Sequence, residues 1–413
     1  MARIIMEQGA AKVVEKLLDA GYAAYVVGGC VRDALLGKQP NDWDICASAL
    51  PEQTLALFGE KNCILTGLKH GTITVKMDGG FYEVTTFRMD GEYSDGRHPD
   101  SVDFVEDVCA DLARRDFTIN AMAYNDRDGL VDPFGGQADL LKHRIVRAVG
   151  DPMARFSEDA LRVMRLFRFA ARYGLDIDEE TKRAAIALRE NLRFVSGERT
   201  REELLKLLCA AKPSGYLPKD IVSVFMPEMT EVSLEAYEKV LSAVDSLKPD
   251  DELRLAALLS ALCSAQDQEK ATGVMKRLYC SNKTMNRVLL ALSGALGAYD
   301  ADEKALRVQA RYALGRYGTQ AIEDILALAC VLREADAAQR VERFAAFAHE
   351  AKAQGLCCSL KELAITGADV MPIAGKGPKV GAMLAALLDA VIRGEIPNEH
   401  EALLMAAEGI EKA

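Results

Sequence analysis

The chain has 413 residues, half of them hydrophobic and 27% charged, with a net charge of −11. That length exceeds one compact domain and suggests roughly three, and the composition is that of a folded globular protein, not a disordered one. No apolar stretch approaches the roughly 20 residues of a membrane helix. The opening MARIIMEQGAAKVVEKLLDAGY lacks the apolar core of a signal peptide, and ten scattered cysteines form no CxxC, so we expect a cytoplasmic protein with no membrane association, zinc ribbon or disulfide framework.

In chain order, Val13, Val14, Leu17 and Leu18 repeat at helical spacing, with Gly21 placed to cap. Tyr22–Val27 reads as a buried strand running into Gly28-Gly29, and Val31–Leu36 as a helix ended by Gly37. Asp42–Ser48 reads as a second strand. Thr72–Met77 and Phe81–Arg88 read as a hairpin turned by Asp78-Gly79-Gly80. Residues 90–102 read as loop and Ala110–Tyr124 as helix. From Asp151-Pro152 onward the pattern is helical, with Ser157 as a candidate N-cap ahead of Glu158 and Asp159. Breaks fall at 212–215, 248–250 and 375–378.

Three constellations carry chemistry. Strand, Gly28-Gly29 and helix start form a place where backbone approaches an anion closely, with Arg32 beside it to hold phosphates. Gly-Gly is by itself more often a simple turn. Asp42 and Asp44, two apart on a strand, point to one face with Trp43 turned away. Two carboxylates side by side repel unless a cation lies between them, and Mg²⁺ suits a few carboxylates completed by phosphate oxygens. The bland alternative is a solvated turn. Residues 141–210 hold 15 Lys and Arg against 11 Asp and Glu, a local balance of +4 in an acidic chain. This fits a nucleotide or RNA backbone site, although charge alone favours ordinary helix salt bridging.

VVGGCVRDALLG followed by NDWDI resembles the head of the nucleotidyltransferase superfamily related to DNA polymerase β. More narrowly it resembles the bacterial tRNA nucleotidyltransferase (CCA-adding) and poly(A) polymerase family, the second class. The likeness continues in order through EVTTFR, YSDGRHPDSVDF, RRDFTINAMA, DPFGG, RIVRAVGDPMARFSEDALRVMRLFRFA and ERTREEL, and more loosely in the tail. It implies an α+β fold: a polymerase-β-like head with a small, mixed, mostly antiparallel sheet, then an all-helical remainder. The expected divisions are a catalytic head at 1–148, a base-recognising neck at 149–211, a body at 212–340 and a tRNA-binding tail at 341–413.

The resemblance also implies roles. Asp42 and Asp44 would be the catalytic pair and hold two Mg²⁺ ions, with Glu83 either a third carboxylate or an exposed strand residue. Gly28, Gly29, Arg32 and Arg115 would bind nucleotide, with Asp116 and Asn120 at i and i+4 of one helix facing the ribose. Read alone, Arg114-Arg115-Asp116 is a surface salt-bridge cluster. Asp159, Arg162, Arg165 and Arg168 would form a protein template for the base; read alone they are a helix start with arginines on its solvent face, Asp159 and Arg162 forming an i, i+3 ion pair.

The chemistry of such a template is direct. C and A each present an amino donor beside a ring-nitrogen acceptor, so a carboxylate and a guanidinium match both; U and G present the reverse, at about 1–3 kcal/mol per mismatch. Steps of three residues drift about 60° on a helix, which sets Arg168 opposite Asp159. The implied reaction is template-independent addition of C, C and A to the 3′ end of tRNA from CTP and ATP with release of pyrophosphate; poly(A) polymerase, or partial CC or A addition, is the alternative. The element Tyr93–Arg97 resembles the one needed to switch from C to A. An RNA-binding protein with a lapsed head, or a small-molecule nucleotidyltransferase, are readings from other classes; intact Asp42 and Asp44 oppose the first and the long helical remainder the second. Lys376, Lys379 and Arg393 are candidate phosphate contacts of the tail. No protein partner is evident.

Overall fold

The computed structural model describes residues 4–65, 67–68, 71–91 and 101–412. Two compact units divide it, Met1–Pro227 and Glu228–Ala413. The first unit opens with helix Gln8–Asp19, whose Val13, Val14 and Leu17 are buried. Seven strands build its mixed sheet: β1 (Ala24–Val27), β2 (Ile45–Ala47), β3 (Cys63–Ile64), β4 (Thr72–Met77), β5 (Gly80–Thr86), β8 (Ala123–Asn125) and β9 (Gly129–Val131), in the order β3-β4-β5-β2-β1-β8-β9. A separate ribbon pairs β6 (Arg88–Asp90) with β7 (Val102–Phe104). Only β2 and β5 run parallel within the large sheet.

The β4–β5 hairpin turns through Asp78 and Gly79 with φ of +50° and +84°, the two left-handed residues of a type I′ turn. Central β1 is buried along its whole length. Tyr25 and Val27 point from it into a core with Phe87, Leu112, Ala121 and Ala123. The sheet thereby holds the loops at one end of β1 and β2 rigid, and the site is built on those loops.

Four local expectations need correction. Residues 110–124 are not one helix: helix Val108–Ala113 stops, a 3₁₀ turn covers Thr118–Asn120, and Ala123 starts β8. All of Phe117–Ala123 is buried, so apolar periodicity carries no information there; Phe117 instead bridges to Ala148 and β8 pairs with β1. Second, Ser157 is no N-cap. Asp151 caps helix Pro152–Glu158 by accepting from Met153 N, with Pro152 in the first turn, while the Ser157 hydroxyl donates back to Met153 O at 2.9 Å. A following proline and a carboxylate outcompete a hydroxyl for a helix start. Third, β2 covers only Ile45–Ala47, so the acidic pair precedes it, although Val27 N still donates to Asp44 O at 2.9 Å. Fourth, 90–102 was expected to be loop throughout, whereas Asp90 and Val102 pair across the ribbon; the element Tyr93–Arg97 lies outside the described residues.

The rest of the first unit is mostly helical around Leu161–Tyr173, which buries Leu161, Met164 and Phe167 and packs on helix Gly197–Leu208. One short parallel ribbon pairs Ile145–Val146 with Asp176–Ile177, the second strand lying in a stretch expected to be helical. The second unit is helical throughout its described residues. The expected break at 248–250 becomes the Asp250 cap of helix Asp251–Leu259, and that at 375–378 separates Gly367–Ala374 from Pro378–Arg393. No helix among the described residues is long and apolar enough to cross a membrane.

Candidate active site

The β1 ladder ends at Val27, and Gly28 takes φ +74°, the left-handed region that favours glycine. A Cβ there would meet Arg115 Nη1 at 2.8 Å, the end of a long side chain that it would displace, so the positive φ is what calls for glycine and the missing Cβ leaves room for Arg115. Helix Gly29–Leu35 starts at once. Its Arg32 is buried and held three ways: Nε donates to Asp33 at 2.9 Å, Nη1 to the Asn120 side-chain oxygen, and the guanidinium lies over the Tyr173 ring at 4.6 Å. Tyr173 in turn donates its hydroxyl to Asp33 at 2.9 Å.

Asp42 and Asp44 are exposed while Trp43 between them is buried, the alternation an extended segment imposes. Ile45 pairs with Val84 in the parallel β2–β5 register, which sets exposed Glu83 beside Asp44. The Asp44 carboxyl is raised above the usual aspartate range, by desolvation against the protein wall first and then by Glu83 and Asp42, with Arg115 opposing. Three acids therefore crowd one edge. Among the described residues no three Asp, Glu, His or Cys side chains converge on one ion position.

One cavity of about 490 Å³ joins this edge to the helical segment. Gly28, Gly29, Arg32, Asp44, Arg115, Asp159, Arg162, Arg165 and Arg168 all line it. Of the residues expected at the catalytic and nucleotide site, Asp42 and the candidate third acid Glu83 stand outside that lining. Asp116 and Asn120 line it too, but from a turn rather than one helix, and Asn120 Nδ2 donates to Asp116 at 3.0 Å. Asp116 is buried and receives Arg165 Nε at 2.8 Å. Burial by itself would raise its pKa, but Arg165 and Asn120 prevail and hold it at about 2.

The expected Asp159–Arg162 ion pair does not form. Asp159 lies between two helices with extended φ of −143°; it caps the next helix by accepting from Leu161 N at 3.0 Å and pairs with Arg199 at 2.8 Å. Arg162 donates to Glu158, to Arg155 O at 2.9 Å and to Arg114 O at 3.2 Å. Because Asp159 is outside the helix, a wheel counted from it does not apply. Arg168, expected opposite, lines the same cavity, lying 3.8 Å from the Phe169 centroid and donating to Glu203. Arg199 and Glu203, the partners of Asp159 and Arg168, carry no signal in the sequence beyond their place in the motif ERTREEL.

Three families match the chain: a "Poly A polymerase head domain" at residues 24–147, a "Probable RNA and SrmB- binding site of polymerase A" at 174–218, and "tRNA nucleotidyltransferase domain 2 putative" at 248–407. The CCA-adding enzyme of Lactiplantibacillus plantarum is 37% identical over 404 residues, covering 96% of this chain and 95% of the relative. This chain belongs to the CCA-adding enzyme family. A CCA-adding enzyme of Geobacillus sp. is likewise 37% identical over 406 residues. The crystal structure of the Bacillus stearothermophilus CCA-adding enzyme in complex with CTP superposes with a TM-score of 0.78 at 30% identity, covering 98% of both chains. That α+β architecture, a polymerase-type head followed by helical segments, is the one found here.

Proposed function

We propose that this chain adds C, C and A in turn to the 3′ end of tRNA, using CTP and ATP and releasing pyrophosphate. The observation that carries the reading is the single cavity shared by the Gly28-Gly29 cradle, Asp44 and the Asp159–Arg168 segment. A nucleoside triphosphate spans such a cavity, its phosphates at one end and its base at the other. The name shared by relatives over nearly the whole chain supports the same reaction.

In this reading the backbone of Gly28 and Gly29, with Arg32 and Arg115, takes the triphosphate. Arg32, fixed by Asp33, Asn120 and Tyr173, presents its charge without needing to reorganise. Asp42 and Asp44, with Glu83 adjacent, form a hard-oxygen set of the kind that takes Mg²⁺ together with substrate oxygens. Bound there, Mg²⁺ would neutralise phosphate charge and favour the ionised 3′-hydroxyl. Asp159 keeps carboxylate acceptor capacity beyond Leu161 N and Arg199, so it can still accept a hydrogen bond from the amino group of C or A. We assign the head to 1–148, the neck to 149–211, and tRNA holding to a body at 212–340 and a tail at 341–413.

The test is a tRNA lacking its 3′ end, given Mg²⁺ and each NTP singly and in pairs. CTP with ATP should add three residues and stop. A ladder of A residues would replace this reading with poly(A) polymerase, and labelling of a small acceptor alone would remove tRNA as substrate. Asp42→Ala should abolish addition while tRNA affinity stays within about twofold; a normal rate in that variant removes the metal assignment.

A further inference from the structure

Asp111 is a fully buried carboxylate that neither lines the cavity nor touches it. It sits in the last turn of helix Val108–Ala113, and two of its partners, Arg114 and Arg115, line the site. Oδ1 accepts from Arg114 Nε at 3.0 Å and Nη2 at 2.8 Å; Oδ2 accepts from Arg115 Nη2 at 3.2 Å. Oδ1 also takes the backbone N–H of Arg88, at the start of β6, at 3.3 Å. The two guanidinium groups, unlike Asp111, do line the cavity.

Arg115 depends on this carboxylate. Its Nε is buried without a hydrogen-bond partner, and its Nη1 is the atom set against Gly28. Asp111 pins the guanidinium from i−4 through Nη2, while Nη1 stands against Gly28. Ordering a long side chain costs rotamer entropy, and an unpinned Arg115 would have to be ordered by each incoming nucleotide. A buried carboxylate shared by two guanidiniums removes that cost in advance and sets where the positive charge stands.

We propose that Asp111 is a positioning residue for nucleotide binding: it holds Arg115 against the Gly28 cradle, acting on CTP and ATP alike because it governs the phosphate end and not the base. The proposal rests on the reading of Arg115 as a nucleotide contact. Arg115→Ala tests that reading, and should raise KM for both nucleotides about tenfold or more. Asp111→Asn should raise both KM values about tenfold, with kcat and tRNA affinity within about twofold of wild type. In the Arg115→Ala background Asp111→Asn should raise KM no further. If Asp111→Asn fails to fold, Asp111→Glu, which keeps the charge but moves its oxygens by one methylene relative to Arg115, supplies the same comparison. A folded Asp111 variant with wild-type KM, a loss confined to kcat or tRNA affinity, or full additivity with Arg115→Ala overturns the proposal. Unchanged KM in Arg115→Ala alone removes the reading of Arg115 and the proposal with it.

Discussion

Asp159 does two jobs with one carboxylate. It closes the start of helix Leu161–Tyr173 and takes the Arg199 guanidinium, which orients its remaining lone pairs. A carboxylate so placed accepts a hydrogen bond from an amino group and repels a carbonyl oxygen. Asp159→Asn offers an amide N–H where U presents its O4 acceptor. We therefore expect the ratio of kcat/KM for CTP over UTP to fall by about ten- to hundredfold, measured on tRNA ending before its first C. An unchanged ratio would move base selection to another residue. The residues flanking Asp159 share its economy: Glu203 holds Arg168 from the next helix, and three guanidiniums, of Arg32, Arg165 and Arg168, lie within 5.3 Å of the Phe169 ring centroid.

At the scale of elements, the turn after helix Val108–Ala113 is tied to helix Leu161–Tyr173 by Asp116 and Arg165. Asp116 is lowered to about 2 from 3.8. A depressed carboxylate contributes stability that is complete above its unfolded value and disappears as pH falls through the folded one. The Asp116–Arg165 contribution should thus be full above about pH 4 and vanish toward pH 2, amounting to about 2 kcal/mol. Thermal melts of wild type and Asp116→Asn at descending pH should show a gap that narrows across that window. A constant gap would mean that Asp116 acts by shape alone. Removing the cation instead, as Arg165→Met, leaves a buried unpaired carboxylate and should cost about 3–5 kcal/mol at neutral pH.

At the scale of the whole molecule, an acidic chain that binds a polyanion must segregate its cations. The arginine-lined cavity of the first unit is one such place. In the second unit Lys376 and Lys379 are exposed, while Arg393 is paired with Asp389 at 2.8 Å, which weakens it as a phosphate contact. Lys376→Glu/Lys379→Glu should lower tRNA affinity and reduce the slope of log affinity against log salt by about two, with KM for CTP unchanged. An unaltered slope would place the tRNA backbone elsewhere.

The sequence by itself determined the elements whose causes are local. Helix Gln8–Asp19, the Asp78-Gly79 hairpin, the alternation of Asp42, Trp43 and Asp44, and the order of motifs all follow from periodicity, turn chemistry and spacing within a few residues. Tertiary structure decided what happens where every side chain is buried or where partners are distant in the chain. Phe117–Ala123 is inside on all sides, so pairing with Ala148 and β1, not periodicity, chose its shape. Asp159 had Arg162 three residues away, yet took Arg199, forty residues on, because a carboxylate at a helix start faces whatever cation the neighbouring helix brings to it, and chain spacing does not encode that approach.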